Sequence, residues 1–159
     1  MEKILEAMNH CHSRCLYHGF LRPGNILTEK KSNFEDIRVI NFPLSLGFEN
    51  NTKLDEKFQF PYFMAPELFD NKYGTEEADC WSCGAIICFL LSGKVPFPGD
   101  TDAEIKASIQ AGKLDLSEGV WPSVSDNAKD LISKLLTVDP EQRMSVEEAL
   151  EHPWIITGP

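Results

Sequence analysis

Apolar residues recur at helical spacing near the start of the chain. Ile4, Leu5, Met8 and Cys11 fall on one side of such a helix, and polar residues take the other faces. The pattern predicts an amphipathic helix over residues 2–14. Polar side chains interrupt its apolar positions, which excludes the continuous apolar core of a signal peptide, so we expect no secretion.

Three short apolar patches follow, two within the first stretch, residues 16–27, and one in the second, residues 37–40. Pro23 and Gly24 interrupt the first stretch and β-branched residues fill the second, so we expect small strands around a loop. Residues 41–61 show no sustained period and are rich in turn-forming and charged residues. This composition predicts a long loop, which in compact domains is usually functional or mobile.

The second half of the chain has a helical pattern. Residues 81–91 are apolar on every side, which is typical of a helix surrounded by protein. Capping residues predict the starts of three further helices, at Thr101, Ser125 and Ser145. We expect the last helix to stop before Pro153. The sequence therefore predicts a mainly α fold with few strands.

Composition and charge narrow the classes of function. The chain has 159 residues, 42% of them hydrophobic, which suits one globular domain with a real core. Its formal charge of -10 repels nucleic acid and anionic lipid, so we expect neither as a partner. The longest nearly apolar run, residues 80–91, falls short of the roughly 20 residues that a membrane span needs. We therefore expect no insertion into a membrane.

The cysteines raise the question of a metal site. Five cysteines without a secretory signal predict reduced thiols in a cytoplasmic protein. Cysteines and histidines that superficially suggest zinc are His10, Cys11, His12, Cys15, Cys80 and Cys83. The last two lie inside the apolar helix, where buried thiols are ordinary core residues. We therefore expect no metal.

Five segments occur in the order that protein kinases use. They are HGFLRPGN (18–25), INFPLS (40–45), MAPE (64–67), ADCWSCG (78–84) and EQRMSVEEALEHPWI (141–155). Together they resemble the C-terminal lobe (C-lobe) of a Ser/Thr protein kinase of the calcium/calmodulin-dependent group, particularly the calcium-dependent protein kinases. The resemblance implies that residues 1–159 are a partial kinase domain, mainly α, with a few short strands around the former catalytic loop. It also implies that residues 41–67 are a degenerate activation segment.

The resemblance implies that the groups for phosphoryl transfer are lost. Phe20, which accepts no proton, stands where kinases hold the catalytic aspartate. Asn41, which carries no charge, replaces the metal-binding aspartate of the DFG sequence. Arg22 replaces a lysine, and Asn25 matches the metal-binding asparagine. Because a general base contributes on the order of 10² to 10⁴ in rate, we expect an inactive member of the family.

Other differences affect the same region. Gly19 replaces an arginine, which leaves a phosphate on Thr52 without its customary cation. Pro43 replaces the glycine of DFG and restricts the backbone. The segment at residues 59–63 lacks the threonine that contacts the catalytic aspartate. Residues 55–57 either mimic a phosphate or form a solvated charged loop, and the second interpretation is favoured.

Four matching positions carry structural roles in the family. The resemblance implies that His18 braces the catalytic loop and that Asp79 accepts backbone N–H groups from it. It also implies that Glu67 pairs with Arg143. Asn25 and Asn41 allow two interpretations, a weakened metal site or two amides that cap loops, and we favour the amides.

These features lead to competing functions. The sequence contains no glycine-rich loop, strand lysine or helix glutamate of a nucleotide-binding lobe, so we expect a C-lobe fragment without cofactor. It would act by binding a protein through the exposed apolar floor of the former cleft, near Phe20, Phe42 and Phe60, or persist as a decayed fragment. The alternative is a Ser/Thr kinase fragment that binds ATP and Mg²⁺ and retains phosphotransfer when an N-terminal lobe completes it. A longer gene that encodes this lobe upstream is the third possibility.

Overall fold

The computed structural model describes residues 1–30, 33–42, 61–70 and 75–158, with side chains left out at residues 29–30 and 33–36. These ranges contain six α-helices and one two-stranded sheet, which confirms the mainly α fold. The helices are α1 (Glu2–His12), α2 (Glu76–Ser92), α3 (Asp102–Ala111), α4 (Asp126–Leu135), α5 (Val146–Leu150) and α6 (Pro153–Thr157). The strands are β1 (Ile26–Lys30) and β2 (Asn33–Val39).

Helix α1 is amphipathic, as its apolar spacing predicts. Ile4, Leu5 and Met8 are buried in the core, and the helix ends at His12, two residues before the predicted end. The Ser13 backbone N–H donates to the carbonyl of Asn9, which closes the last turn. The helix therefore presents one apolar face to the rest of the chain.

The sheet is smaller and lies later in the sequence than the apolar patches predict. Residues 16–25 contain no strand, and β1 begins only at Ile26, opposite Val39 in an antiparallel register. Ile26, Ile37 and Val39 lie against the core, so the pair Leu27 and Arg38 lies on the outer face. Pairing with β1 extends strand β2 back to Asn33. A hydrophobic pattern along one strand does not reveal such pairing.

Helix α2 is the centre of the fold. Every residue from Ala78 to Cys88 is buried, which confirms that this part of the helix is surrounded by protein, whereas Leu90 in the last turn is 62% exposed. Thr75 caps its start by accepting from the Ala78 N–H, and Gly93, with φ 70°, ends it. A Cβ at Gly84 would lie 2.8 Å from Leu135 Cβ, so glycine is what lets α2 and α4 approach each other.

The caps predicted for the later helices are present. Thr101 with Glu104 and Ser145 with Glu148 form capping boxes, and the Ser125 hydroxyl accepts from the Ala128 N–H. The helix after Ser145 stops at Leu150, before Pro153 as predicted. The further helix α6 was missed: Pro153 begins it, since the first helical residue needs no N–H partner.

Membrane insertion finds no support among the described elements. In residues 1–30, 33–42, 61–70 and 75–158, none of the helices has the length and apolar character to cross a bilayer.

Candidate functional site

The former catalytic loop suggested by the resemblance runs from the end of α1 to β1. We call residues 18–25 the central loop. It begins against α2, where Asp79 Oδ2 accepts the His18 N–H and Oδ1 accepts the Gly19 N–H, both at 2.8 Å. Gly19 has φ 69°, a left-handed conformation that glycine adopts without strain. Helix α2 thus fixes the start of the loop through backbone groups.

Asp79 has a third partner that sequence reasoning missed. His12 Nε2 lies 3.0 Å from Asp79 Oδ2, and the Asp79 side chain is fully buried. A buried carboxylate needs several donors to offset its desolvation, and these three provide them. His12 was considered only as a zinc ligand, whereas the structure makes it a link between α1 and α2. The signal was available, since a histidine in the last turn of α1 adjoins the loop that Asp79 holds.

His18 joins the central loop to the end of β2. Its Nδ1 accepts the Phe20 N–H at 3.2 Å, so the ring proton lies on Nε2, which donates to the Ile40 carbonyl at 3.0 Å. The ring lies 4.6 Å from the ring of Phe42, centroid to centroid. Burial lowers the pKa of His18 below its ordinary value, which favours the neutral ring that both hydrogen bonds require.

Asn25 and Asn41 meet between the central loop and β2. Asn25 Nδ2 donates to the Phe20 carbonyl at 2.9 Å, and Asn25 Oδ1 accepts from Asn41 Nδ2 at 3.1 Å. The backbone adds a third link, from the Ile40 N–H to the Asn25 carbonyl at 2.9 Å. Asn41 has φ 59°, a conformation that asparagine tolerates better than most residues. This geometry favours the interpretation of two capping amides over a weakened metal site.

The magnesium ion implied by the resemblance does not fit this donor set. Mg²⁺ takes oxygen ligands and is usually held by one or two carboxylates. Here Asn41 directs an N–H group at Asn25 Oδ1, and the pair carries no charge. Across the described ranges, no three His, Cys, Asp or Glu side chains come together to hold a metal ion.

Phe20 fills the position where the resemblance places a proton acceptor. Its ring is half-buried, and the Arg22 guanidinium lies over it, 5.1 Å from the ring centroid. A recess lined by these two side chains and by Phe63, Met64 and Ser82 is too small to admit a water molecule. Neither the Phe20 ring nor the Arg22 guanidinium can accept a proton at neutral pH.

The predicted pairing of Glu67 with Arg143 is confirmed. The two side chains form a bidentate pair, with Nη1 to Oε1 at 2.7 Å and Nη2 to Oε2 at 3.0 Å. Arg143 also donates to the carbonyls of Glu77, Thr137 and Val138 and lies over the Trp81 ring. All five donors of the guanidinium group are directed at acceptors, so the charge is fully compensated in the core.

The cysteines are core residues or surface thiols. All five are free, and Cys80, Cys83 and Cys88 are buried in α2. Burial raises the pKa of Cys80 to about 12 and that of Cys88 to about 11. Both thiols therefore stay protonated at neutral pH when no metal ion is bound.

The apolar floor expected near the central loop is partly covered. Phe20 and Phe42 are half-buried, while Leu27 on the outer face of β1 is 47% exposed. The predictions for Pro43, Thr52, residues 55–57, Gln59 and Phe60 lie outside the described residues.

Comparisons with known proteins agree with the order of the motifs. The protein kinase domain family matches residues 1–155. The chain is 38% identical over 158 residues to calcium-dependent protein kinase 14 of Arabidopsis thaliana, covering 99% of this chain and 30% of that protein. It is 40% identical over 152 residues to calcium-dependent protein kinase 25 of Arabidopsis thaliana, covering 96% of this chain and 29% of that protein. Calcium-dependent protein kinase 3 of Oryza sativa subsp. japonica is 38% identical over 152 residues, covering 96% of this chain and 27% of that protein. The chain thus spans under a third of the length of these relatives.

Replacing Arg143 by alanine would strand the buried Glu67 carboxylate. We expect Arg143→Ala to lower the free energy of unfolding by about 3 to 5 kcal/mol, measured by urea denaturation. Lys129→Ala is the matched control, because Lys129 is partly exposed and its partner Asp126 is fully exposed, so loss of this pair should change stability by no more than about 0.5 kcal/mol. Equal midpoints for the two variants would contradict a stabilising role for the buried pair.

The buried neutral His18 makes stability depend on pH. Its pKa is lower in the folded chain than the unfolded value of about 6.5, so protons bind preferentially to the unfolded state. The contribution of His18 to the free energy of unfolding is complete above pH 6.5. It declines as the pH falls from 6.5 towards the pKa of His18 in the folded chain. We expect the difference in unfolding free energy between the parent and His18→Gln to shrink between pH 7.5 and pH 5.5. A constant difference across this interval would show that His18 does not titrate in this way.

Proposed function

The chain belongs to the protein kinase domain family, and we propose that it is a non-catalytic, kinase-derived module that acts by binding protein. The observation that carries the proposal is Phe20, which stands in the central loop where the family's motif has its catalytic aspartate. The proposed setting is the cytoplasm, where the five free thiols would stay reduced.

Phe20 removes the group that would orient and deprotonate a substrate hydroxyl. Arg22, whose cation lies over the Phe20 ring, does not replace it, and the small recess that both side chains line is too small to admit a water molecule. A substrate hydroxyl brought to this point would meet an aromatic ring.

Asn41 also supports a non-catalytic function, because its side chain is poorly suited to bind the metal ion that accompanies ATP. It carries no charge to hold a metal ion against phosphates, and its amide N–H is directed at Asn25 Oδ1. Two groups that act as one catalytic unit are therefore altered together, and such losses are not compensated one at a time. ATP binding with Mg²⁺ is accordingly absent from the proposed function.

The second candidate is a kinase fragment that regains phosphotransfer when an N-terminal lobe completes it. What favours it is the preserved scaffold. Asp79 still holds the central loop, and the Glu67–Arg143 pair is intact. Against it stands the chemistry of Phe20, which a second lobe does not alter.

Phosphotransfer distinguishes the two candidates. We expect no incorporation of labelled phosphate from MgATP into basic peptide substrates, either by the 159-residue chain or by Phe20→Asp/Asn41→Asp. The double variant stays inactive because these 159 residues contain no glycine-rich loop to hold the phosphates.

The informative arm adds the purified N-terminal lobe of a calcium-dependent protein kinase. We expect the parent chain to remain inactive in the mixture. Activity of the parent above that of the added lobe alone would contradict the non-catalytic proposal and favour the second candidate.

The proposed binding surface is the former cleft, beside the central loop. Leu27 is 47% exposed on the outer face of β1, two residues after Asn25, and the half-buried rings of Phe20 and Phe42 lie in the adjoining loop and strand end. Exposed apolar side chains at such a position suit a protein partner, since burying a leucine stabilises a complex by about 1.5 to 3 kcal/mol. The net charge of -10 disfavours nucleic acid as the occupant.

A matched pair of leucines tests this surface. We expect Leu27→Asp to abolish protein partners that the parent retains in affinity purification, because it places a charge at the centre of the contact. Leu90→Asp should keep them, since Leu90 is 62% exposed but belongs to α2. Circular dichroism establishes that both variants are folded. If Leu27→Asp keeps every partner, or if the parent has none, the binding proposal fails and a decayed fragment is favoured.

A further inference from the structure

The hydrogen bond between Asn25 and Asn41 has only one possible direction. The Phe20 carbonyl is an acceptor, so the Asn25 atom that faces it at 2.9 Å must be the amide nitrogen. The remaining Asn25 atom is therefore Oδ1, and the group that faces it at 3.1 Å must be a donor, the Asn41 Nδ2. The network fixes the orientation of both amides without reference to hydrogen positions.

The separation of these two atoms matches that of two ligands on one small cation. Mg²⁺ binds oxygen at 2.0 to 2.1 Å in octahedral geometry, which places neighbouring ligands about 2.9 Å apart. Asn25 Oδ1 and Asn41 Nδ2 are 3.1 Å apart. An aspartate at position 41 would put two oxygens at this spacing, where they repel unless a cation lies between them. Asparagine at position 41 instead connects the two side chains by a direct hydrogen bond, from Asn41 Nδ2 to Asn25 Oδ1.

We infer that the Asn41 amide closes this site in place of a cation, so that the central loop keeps its shape without a metal ion. In the described part of the chain the bond lies beside two other hydrogen bonds between the loop and the end of β2, His18 to Ile40 and Ile40 to Asn25. The inference does not depend on the proposed function, because the loop is held in the same way whether or not a protein partner binds.

The left-handed backbone at position 41 decides which variants are informative. Asn41 has φ 59°, which aspartate and glycine both tolerate, whereas alanine would add strain. Asn41→Asp loses the donor and introduces a charge. Asn41→Gly loses the donor without a charge and separates the two effects. Asn127→Asp adds the same charge on the exposed surface of α4 as a matched control.

Amide hydrogen exchange of the 159-residue chain, with EDTA or with Mn²⁺ as the probe ion, tests the inference. The readout is the Ile40 amide, which donates to the Asn25 carbonyl, and the internal reference is the Gly19 amide, which Asp79 holds. We expect the parent and Asn127→Asp to show the same Ile40 protection in both conditions. In EDTA, Asn41→Asp and Asn41→Gly should each lose about 2- to 10-fold of this protection, the effect of one hydrogen bond. Mn²⁺ should restore it in Asn41→Asp alone.

Three results would overturn the inference. One is protection of Ile40 in the parent that rises with Mn²⁺, because the native site would then hold a cation. Another is parent-like protection of Asn41→Gly in EDTA, which would show that the amide bond does not hold the loop. The third is an Asn41→Asp variant that loosens but does not respond to Mn²⁺, which would deny that the amide occupies a cation's position. If Asn41→Asp does not fold, the parent and Asn41→Gly still decide the first two.

Discussion

The buried carboxylate of Asp79 is the constraint on which this region of the molecule depends. A charged group without exposure to water is stable only where donors surround it, and this chain supplies two backbone N–H groups and the His12 ring. These donors come from residues that lie 60, 61 and 67 positions from Asp79 in sequence. Satisfying one side chain therefore fixes α1, α2 and the central loop relative to one another, and the contacts of His18 and Asn25 follow from that placement.

Asp79 binds the backbone of residues 18 and 19 and leaves their side chains out of the contact. Gly19 can therefore replace a larger residue without loss of the anchor, and its positive φ is easily adopted. Phe20, the next residue, likewise contributes its N–H and carbonyl to the network. The loop can keep its path while the chemistry it displays changes, which is how a family scaffold can persist in a chain proposed to be non-catalytic.

Features set by local sequence could be predicted, whereas features set by tertiary contacts could not. The starts of α3 to α5 depend on nearby caps such as Thr101 and Ser145, and the burial of most of α2 could be predicted from its apolar composition. The pairing of Glu67 with Arg143 followed from the resemblance. His12 was misjudged because its partner lies 67 residues away, and the direction of the bond between Asn25 and Asn41 depends on the Phe20 carbonyl. Helix α6 was missed because Pro153 was taken only as a stop.

The Glu67–Arg143 pair also bears on how the chain folds. Its partners are 76 residues apart, and closing a loop of that length costs about 4 kcal/mol before any contact compensates for it. Helix α2 lies between them, and its buried residues 78–88 are covered only when both α1 and α4 have packed against it. Local helices can form early, but the core cannot close from one end alone. A ribosome releases the α4 segment after α2, so during synthesis α2 emerges before this partner and is exposed to aggregation.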